Sequence, residues 1–100
     1  MNSKIEIEFL SPAETEFVET VKYYNSESTG LGFEFALEIE KTIERIIQYP
    51  EAWPKISERA RKCRCNKFPY GVVYFYDNNP LVIVAIMHLA KEPNYWKDRI

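Results

Sequence analysis

Leu81-Val82-Ile83-Val84-Ala85-Ile86-Met87-His88-Leu89 runs apolar from end to end, without the alternation of a strand that wets one face. A continuous run of this length reads as a strand buried on both sides, so it belongs in the middle of a sheet. Its apolar part, Leu81 to Met87, is far too short to span a membrane. Asp77-Asn78-Asn79-Pro80 precedes it and consists of turn formers. Val72 to Tyr76 lies before that turn and reads as the strand hairpinned to it. Phe68-Pro69-Tyr70-Gly71 is a turn or bulge, and residues 60 to 67 alternate Arg61, Cys63 and Cys65 against Lys62, Arg64 and Asn66. Three consecutive strands therefore fill the C-terminal part.

Upstream, the pattern changes period. Pro50 to about Arg59 is a connector containing Trp53 and Pro54. Helix-spaced Phe35, Ala36, Ile39, Ile43, Ile46 and Ile47 predict a helix from about Leu31 to Tyr49, ended by Pro50. Its other face carries Glu34, Glu38, Glu40 and Glu44 and reads as solvated, and Thr29 is its expected cap. Ser11-Pro12-Ala13-Glu14 has the form of a capping box with an early proline. It opens a first helix that runs to about Asn25 with Ala13, Phe17, Val21 and Tyr24 on one stripe. Lys4 to Leu10 alternates Ile5, Ile7 and Phe9 with charged residues, as a half-buried strand does. The expected fold is α+β, one domain over residues 1–100, in the order β-α-α-β-β-β. Both helices cover one face of an antiparallel sheet, and the first strand pairs near its centre.

One hundred residues suit a single domain, and 46% apolar with 28% charged residues is a globular composition. Met1 to Glu6 reaches glutamate at once and predicts no secretory signal, so a cytoplasmic location without membrane contact is expected. Cys63 and Cys65 are too close along a strand for an unstrained disulfide and are expected to be buried reduced thiols. The formal charge of -2 conceals a division: residues 1–58 hold five Lys/Arg against twelve Asp/Glu, and residues 59–100 hold eight against three. Opposite fields of this kind direct partners to one face.

The basic half concentrates Arg59, Arg61, Lys62, Arg64 and Lys67 beside Phe68, Tyr70, Tyr74 and Tyr76. Cations with aromatic planes suit single-stranded nucleic acid, and the same cations suit an acidic protein segment. A charge offset for the acidic helices is the plainer alternative. His88, at a strand end and near Lys91, is either a proton-transfer group or a packing residue. Tyr95 and Trp96 either dock back on the sheet or stand beside His88. A nucleophile elbow, a phosphate-binding glycine loop and a histidine pair for metal are all missing, so neither metal nor cofactor is expected.

Several of these motifs, in this order, resemble the RelE/ParE superfamily of toxins from bacterial type II toxin–antitoxin modules, particularly its plasmid-stabilisation branch. They are Leu10-Ser11-Pro12-Ala13, Tyr23-Tyr24, Gly30-Leu31-Gly32-Phe33-Glu34-Phe35, Tyr49-Pro50, Phe68-Pro69-Tyr70, and the stretch from His88 to Trp96 with Arg99. The resemblance covers nearly the whole chain. It implies a growth-inhibiting toxin neutralised by a cognate antitoxin in a hetero-oligomer. It implies one of two targets: DNA gyrase, as in ParE-like members, or messenger RNA on the ribosome, as in RelE-like members. By position, Arg61, Arg64, His88, Lys91 and Tyr95 are the candidate catalytic residues. Lys91 stands where the branch usually has arginine and lacks the planar fork that grips phosphate. The acidic total is a second departure from ribosome-acting members. A non-toxic binding or structural protein that keeps the fold is the competing reading.

Overall fold

The structure is a computed structural model that describes residues 4–100; Met1 to Ser3, and with them the first half of the stretch that predicts no secretory signal, lie outside the described residues. Its elements are β1 (Ile7–Phe9), α1 (Ser11–Glu27), α2 (Leu31–Gln48), β2 (Arg61–Arg64), β3 (Tyr70–Phe75) and β4 (Leu81–His88), then a short 3-10 turn at Lys97–Arg99. The sheet order is β1-β4-β3-β2, so the apolar run is indeed an inner strand. β2, β3 and β4 form an antiparallel meander, but β1 runs parallel to β4 and the sheet is mixed. The turn before β4 explains the direction. The Asn79 side chain accepts the Glu6 N–H and donates to the Lys4 carbonyl, and Leu81 N–H donates to Glu6. Both strands thus start side by side and run the same way.

Neither expected side-chain cap forms. Leu10 N–H is still bonded to Ile83 when the chain turns into α1, so the helix begins at Ser11 and Leu10 occupies the cap position. Gly30, at φ 88°, precedes α2, which leaves Thr29 one residue short. The Asn25 carboxamide instead accepts the Gly32 N–H at 2.8 Å. Gly32 is where the two helices touch: a Cβ there would lie 2.3 Å from the Val21 carbonyl oxygen.

Both sheet faces are covered. On one, Phe35, Ile39 and Ile46 of α2 and Ala13 of α1 pack over Cys63, Val72, Tyr74, Leu81, Ile83 and Ile86. Tyr24, Phe35, Phe68 and Tyr70 form an aromatic cluster at its end, with ring centroids 5.0–6.3 Å apart. On the other, Ala60 and Ile56 of the connector and fully buried Trp96 of the tail cover Val73, Val84, Ala85 and Met87. Each such aliphatic side chain contributes about 1.5–3 kcal/mol on burial. Two covered faces account for the unbroken apolarity of β4.

The acidic face of α2 is not wholly solvated. Glu38 is only 4% exposed and accepts the Asn66 N–H at 2.7 Å. Two turns on, Arg45 reaches β2, donating to the Arg64 carbonyl, the Thr42 hydroxyl and the Cys63 sulfur. No helix among the described residues is long and apolar enough to cross a membrane.

Candidate functional site

β1 pairs with only Leu81 to Ile83, so the rest of that β4 edge needs other partners. α1 and the C-terminal tail supply them. Glu16, three residues from Ala13 and therefore at the rim of the apolar stripe, points at the open edge. Its carboxylate accepts the Ile86 N–H at 3.0 Å, the Tyr95 hydroxyl at 2.8 Å and a two-pronged bond from Arg99 at 2.8 and 3.0 Å. Arg99 also donates to the Val84 carbonyl at 3.0 Å. The Glu16 bonds raise the Arg99 guanidinium further above its usual value. Burial, then the Glu16 bond and charge, push the Tyr95 phenol well above its usual range.

Beside this junction lies a cleft of about 340 Å³ lined by His88, Lys91, Tyr95 and Tyr70, facing Thr15, Glu16, Glu19 and Thr20 of α1. His88 Nδ1 accepts the Ala90 N–H at 3.0 Å, so a neutral ring carries its proton on Nε2. The Tyr70 ring lies edge-on to the imidazole at 4.9 Å, and the Lys91 ammonium sits 5.2 Å from the Tyr95 ring centroid. Three of the five sequence-derived candidates therefore meet in one cleft.

The other two do not. β2 is the far edge strand, and alternation sends Arg61 and Arg64 to opposite sides of it. Arg61 lies on the side of Cys63 and Tyr74 and donates to the Trp53 carbonyl at 2.8 Å. Arg64 is exposed, next to Lys62 in a separate groove. Arg59 is paired with Asp77 at 2.9 Å and stacked 4.2 Å over Phe75. The basic cluster of the sequence is thus divided among three environments.

Cys63 and Cys65 are free and buried beneath α2. Burial pushes the Cys63 thiol up to about 11, against a smaller opposing pull from Arg45, and raises Cys65 as well. Both are packing residues in chemical character.

Sequence reading missed Glu16, Glu38, Arg45 and Trp53. Glu16 alone carried a signal, its place three residues along the helix from Ala13.

A mixed sheet under an N-terminal helical hairpin is a fold shared with solved proteins, nine chains of which match. One, described as the chromosomal ParDE TA system from P. aeruginosa, superposes with a TM-score of 0.74 over 85% of this chain and 96% of that one. At 10% identity, that likeness establishes the fold alone. A family model supplies the rest: "ParE toxin of type II toxin-antitoxin system, parDE" matches residues 7–93. The chain belongs to the ParE toxin family. No curated protein matches it significantly.

Proposed function

We propose that this chain is the toxin of a type II toxin–antitoxin module, that it acts in the cytoplasm on DNA gyrase by binding, and that a cognate antitoxin holds it inactive. The family match supports the module. The absence of a converged nuclease constellation carries the choice of target. Cleaving RNA without metal needs cations around the scissile phosphate and a free proton-transfer pair. Here Arg61 is half-buried and turned to the Trp53 carbonyl on the side of Cys63, away from the His88 cleft, Arg64 lies in another groove, and the Tyr95 hydroxyl is committed to Glu16. Glu19 stands in the wall of the His88 cleft, where its charge opposes a phosphate, while Glu16 is already balanced by Arg99. A binding mode asks for none of that chemistry.

The test is induced expression with and without the protein encoded by a short neighbouring gene, with pulse labelling of DNA and protein synthesis. The expected result is growth arrest with DNA synthesis failing first, and rescue by the neighbour. Healthy cells holding abundant folded protein would favour the non-toxic reading. Translation failing first, relieved by Arg61→Ala or His88→Ala, would favour RNA cleavage.

A further inference from the structure

The groove on the outer side of β2 belongs to no part of the His88 cleft. It measures about 370 Å³, with Trp53, Pro54 and Ile56 of the connector as its apolar floor and Arg45, Lys62 and Arg64 along its rim. Among the described residues, no carboxylate lines it. None of the three rim cations is in a salt bridge among the described residues, where only Arg59 and Arg99 are ion-paired. Glu38, the buried carboxylate of α2, is already engaged with the Asn66 amide.

Arg45 gives this groove a fixed charge. Its guanidinium is held by the Thr42 hydroxyl, the Arg64 carbonyl and the Cys63 sulfur, and lies 5.6 Å from the Trp53 ring centroid. All four partners are uncharged, so the cation is positioned without being neutralised. Lys62 and Arg64, two residues apart on one strand, space their charges about 6.6–6.8 Å apart at the backbone. An extended peptide carries alternate side chains at that same spacing. The outer edge of β2 is occupied at its start, where Lys62 N–H donates to Pro54 and Lys55 bridges Arg61, and at the Arg64 carbonyl, which accepts from Arg45, so side-chain contacts and not an added strand are the mode of entry.

The geometry points to this groove as the seat of an extended acidic segment of the cognate antitoxin, with carboxylates on Arg45, Lys62 and Arg64 and one apolar side chain on the Trp53 floor. The inference rests on the toxin–antitoxin reading for the source of the segment. Charge complementarity selects the acid; one face of the Trp53 ring is already covered by Arg45, and Pro54 and Ile56 beside it suit an aliphatic side chain better than a stacked base.

The test uses the full chain and a fluorescein-labelled nine-residue peptide with glutamates at alternate positions, serines between them and a central leucine. Fluorescence anisotropy should show binding that Lys62→Glu/Arg64→Glu weakens at least tenfold, and that replacing the peptide's glutamates by glutamine abolishes. Trp53 emission should change on binding, and Trp53→Leu should remove that change. Thermal melting confirms that each variant is folded. Equal binding to the unaltered chain and the charge-reversed variant would overturn the assignment, as would tighter binding of an eight-nucleotide oligothymidylate than of the peptide. The neighbour-encoded protein separates the two levels. If it fails to bind the unaltered chain, the toxin–antitoxin reading falls. If it binds both chains equally, the groove assignment alone falls.

Discussion

Glu16→Ala should be among the most destabilising single substitutions outside the apolar core. The glutamate carboxylate takes four hydrogen bonds, one from β4, one from Tyr95 and two from Arg99. Its removal leaves the Ile86 amide without an acceptor and the Arg99 guanidinium without a counter-charge. Breaking one side of a buried ion pair costs about 3–5 kcal/mol. The side chains of Glu16 and Arg99 remain 23% and 18% exposed, so water offsets part of that loss. About 2–4 kcal/mol is the working value after that discount. For a domain of this length, 1 kcal/mol moves Tm by roughly 4–8 °C, so a fall of about 8–32 °C is expected. Differential scanning calorimetry on Glu16→Ala, Arg99→Ala and the double variant supplies a cycle. The double should cost at least 1 kcal/mol less than the sum of the singles, on the order of coupled neighbours. A fall below about 3 °C for Glu16→Ala, a threshold under 1 kcal/mol by the same scaling, would refute the reasoning. Strict additivity would do the same.

Three further outcomes follow from the packing. Iodoacetamide at neutral pH should leave both cysteines unmodified in the native chain and label them only after unfolding, because both are buried and their thiols are held protonated. Alkali should lower stability: Cys63 at about 11 and Tyr74 at about 12 stay protonated in the fold after the unfolded chain, with values of 9.0 and 10.0, has released its protons. Because the folded state then binds more protons, their stabilisation is complete below pH ~9 and is lost from ~9 to ~12; a Tm that rises across that window would contradict the assignment. Gly32→Ala should cost about 1–3 kcal/mol or more by forcing the helices apart, although alanine is the better helix former. Urea titration showing Gly32→Ala as stable as the parent would disprove the close approach there.

Much of the architecture was legible because the apolar patterns were long. The unbroken Leu81–Leu89 run put β4 inside the sheet, and the helix stripes named the residues that cover it. What the sequence concealed was set by neighbours distant along the chain. The parallel pairing of β1 depends on Asn79 binding Glu6, a contact spanning 73 residues. The caps failed because Leu10 stays bonded to the sheet and Gly30 takes the left-handed position, neither of which a capping motif encodes. Of the two places open to Trp96, docking on the second sheet face is the one it takes, a choice that periodicity does not encode. At the candidate site, the family resemblance grouped Arg61 and Arg64 with His88, whereas sheet order puts β3 between them and strand alternation sends the two arginines to opposite sides of β2. His88, Lys91 and Tyr95 do gather, but with Glu16 and Glu19 opposite, carboxylates whose direction only the helix-to-sheet packing determines.

The proposal that this chain acts by binding gyrase and does not cut RNA has one direct assay. The purified chain is incubated in parallel with DNA gyrase, ATP and relaxed plasmid, and with translating ribosomes on a defined messenger. The account predicts a dose-dependent loss of supercoiling, reversed by the neighbour-encoded antitoxin, with the messenger left intact. Messenger cleavage at the ribosome while gyrase keeps full activity would contradict it.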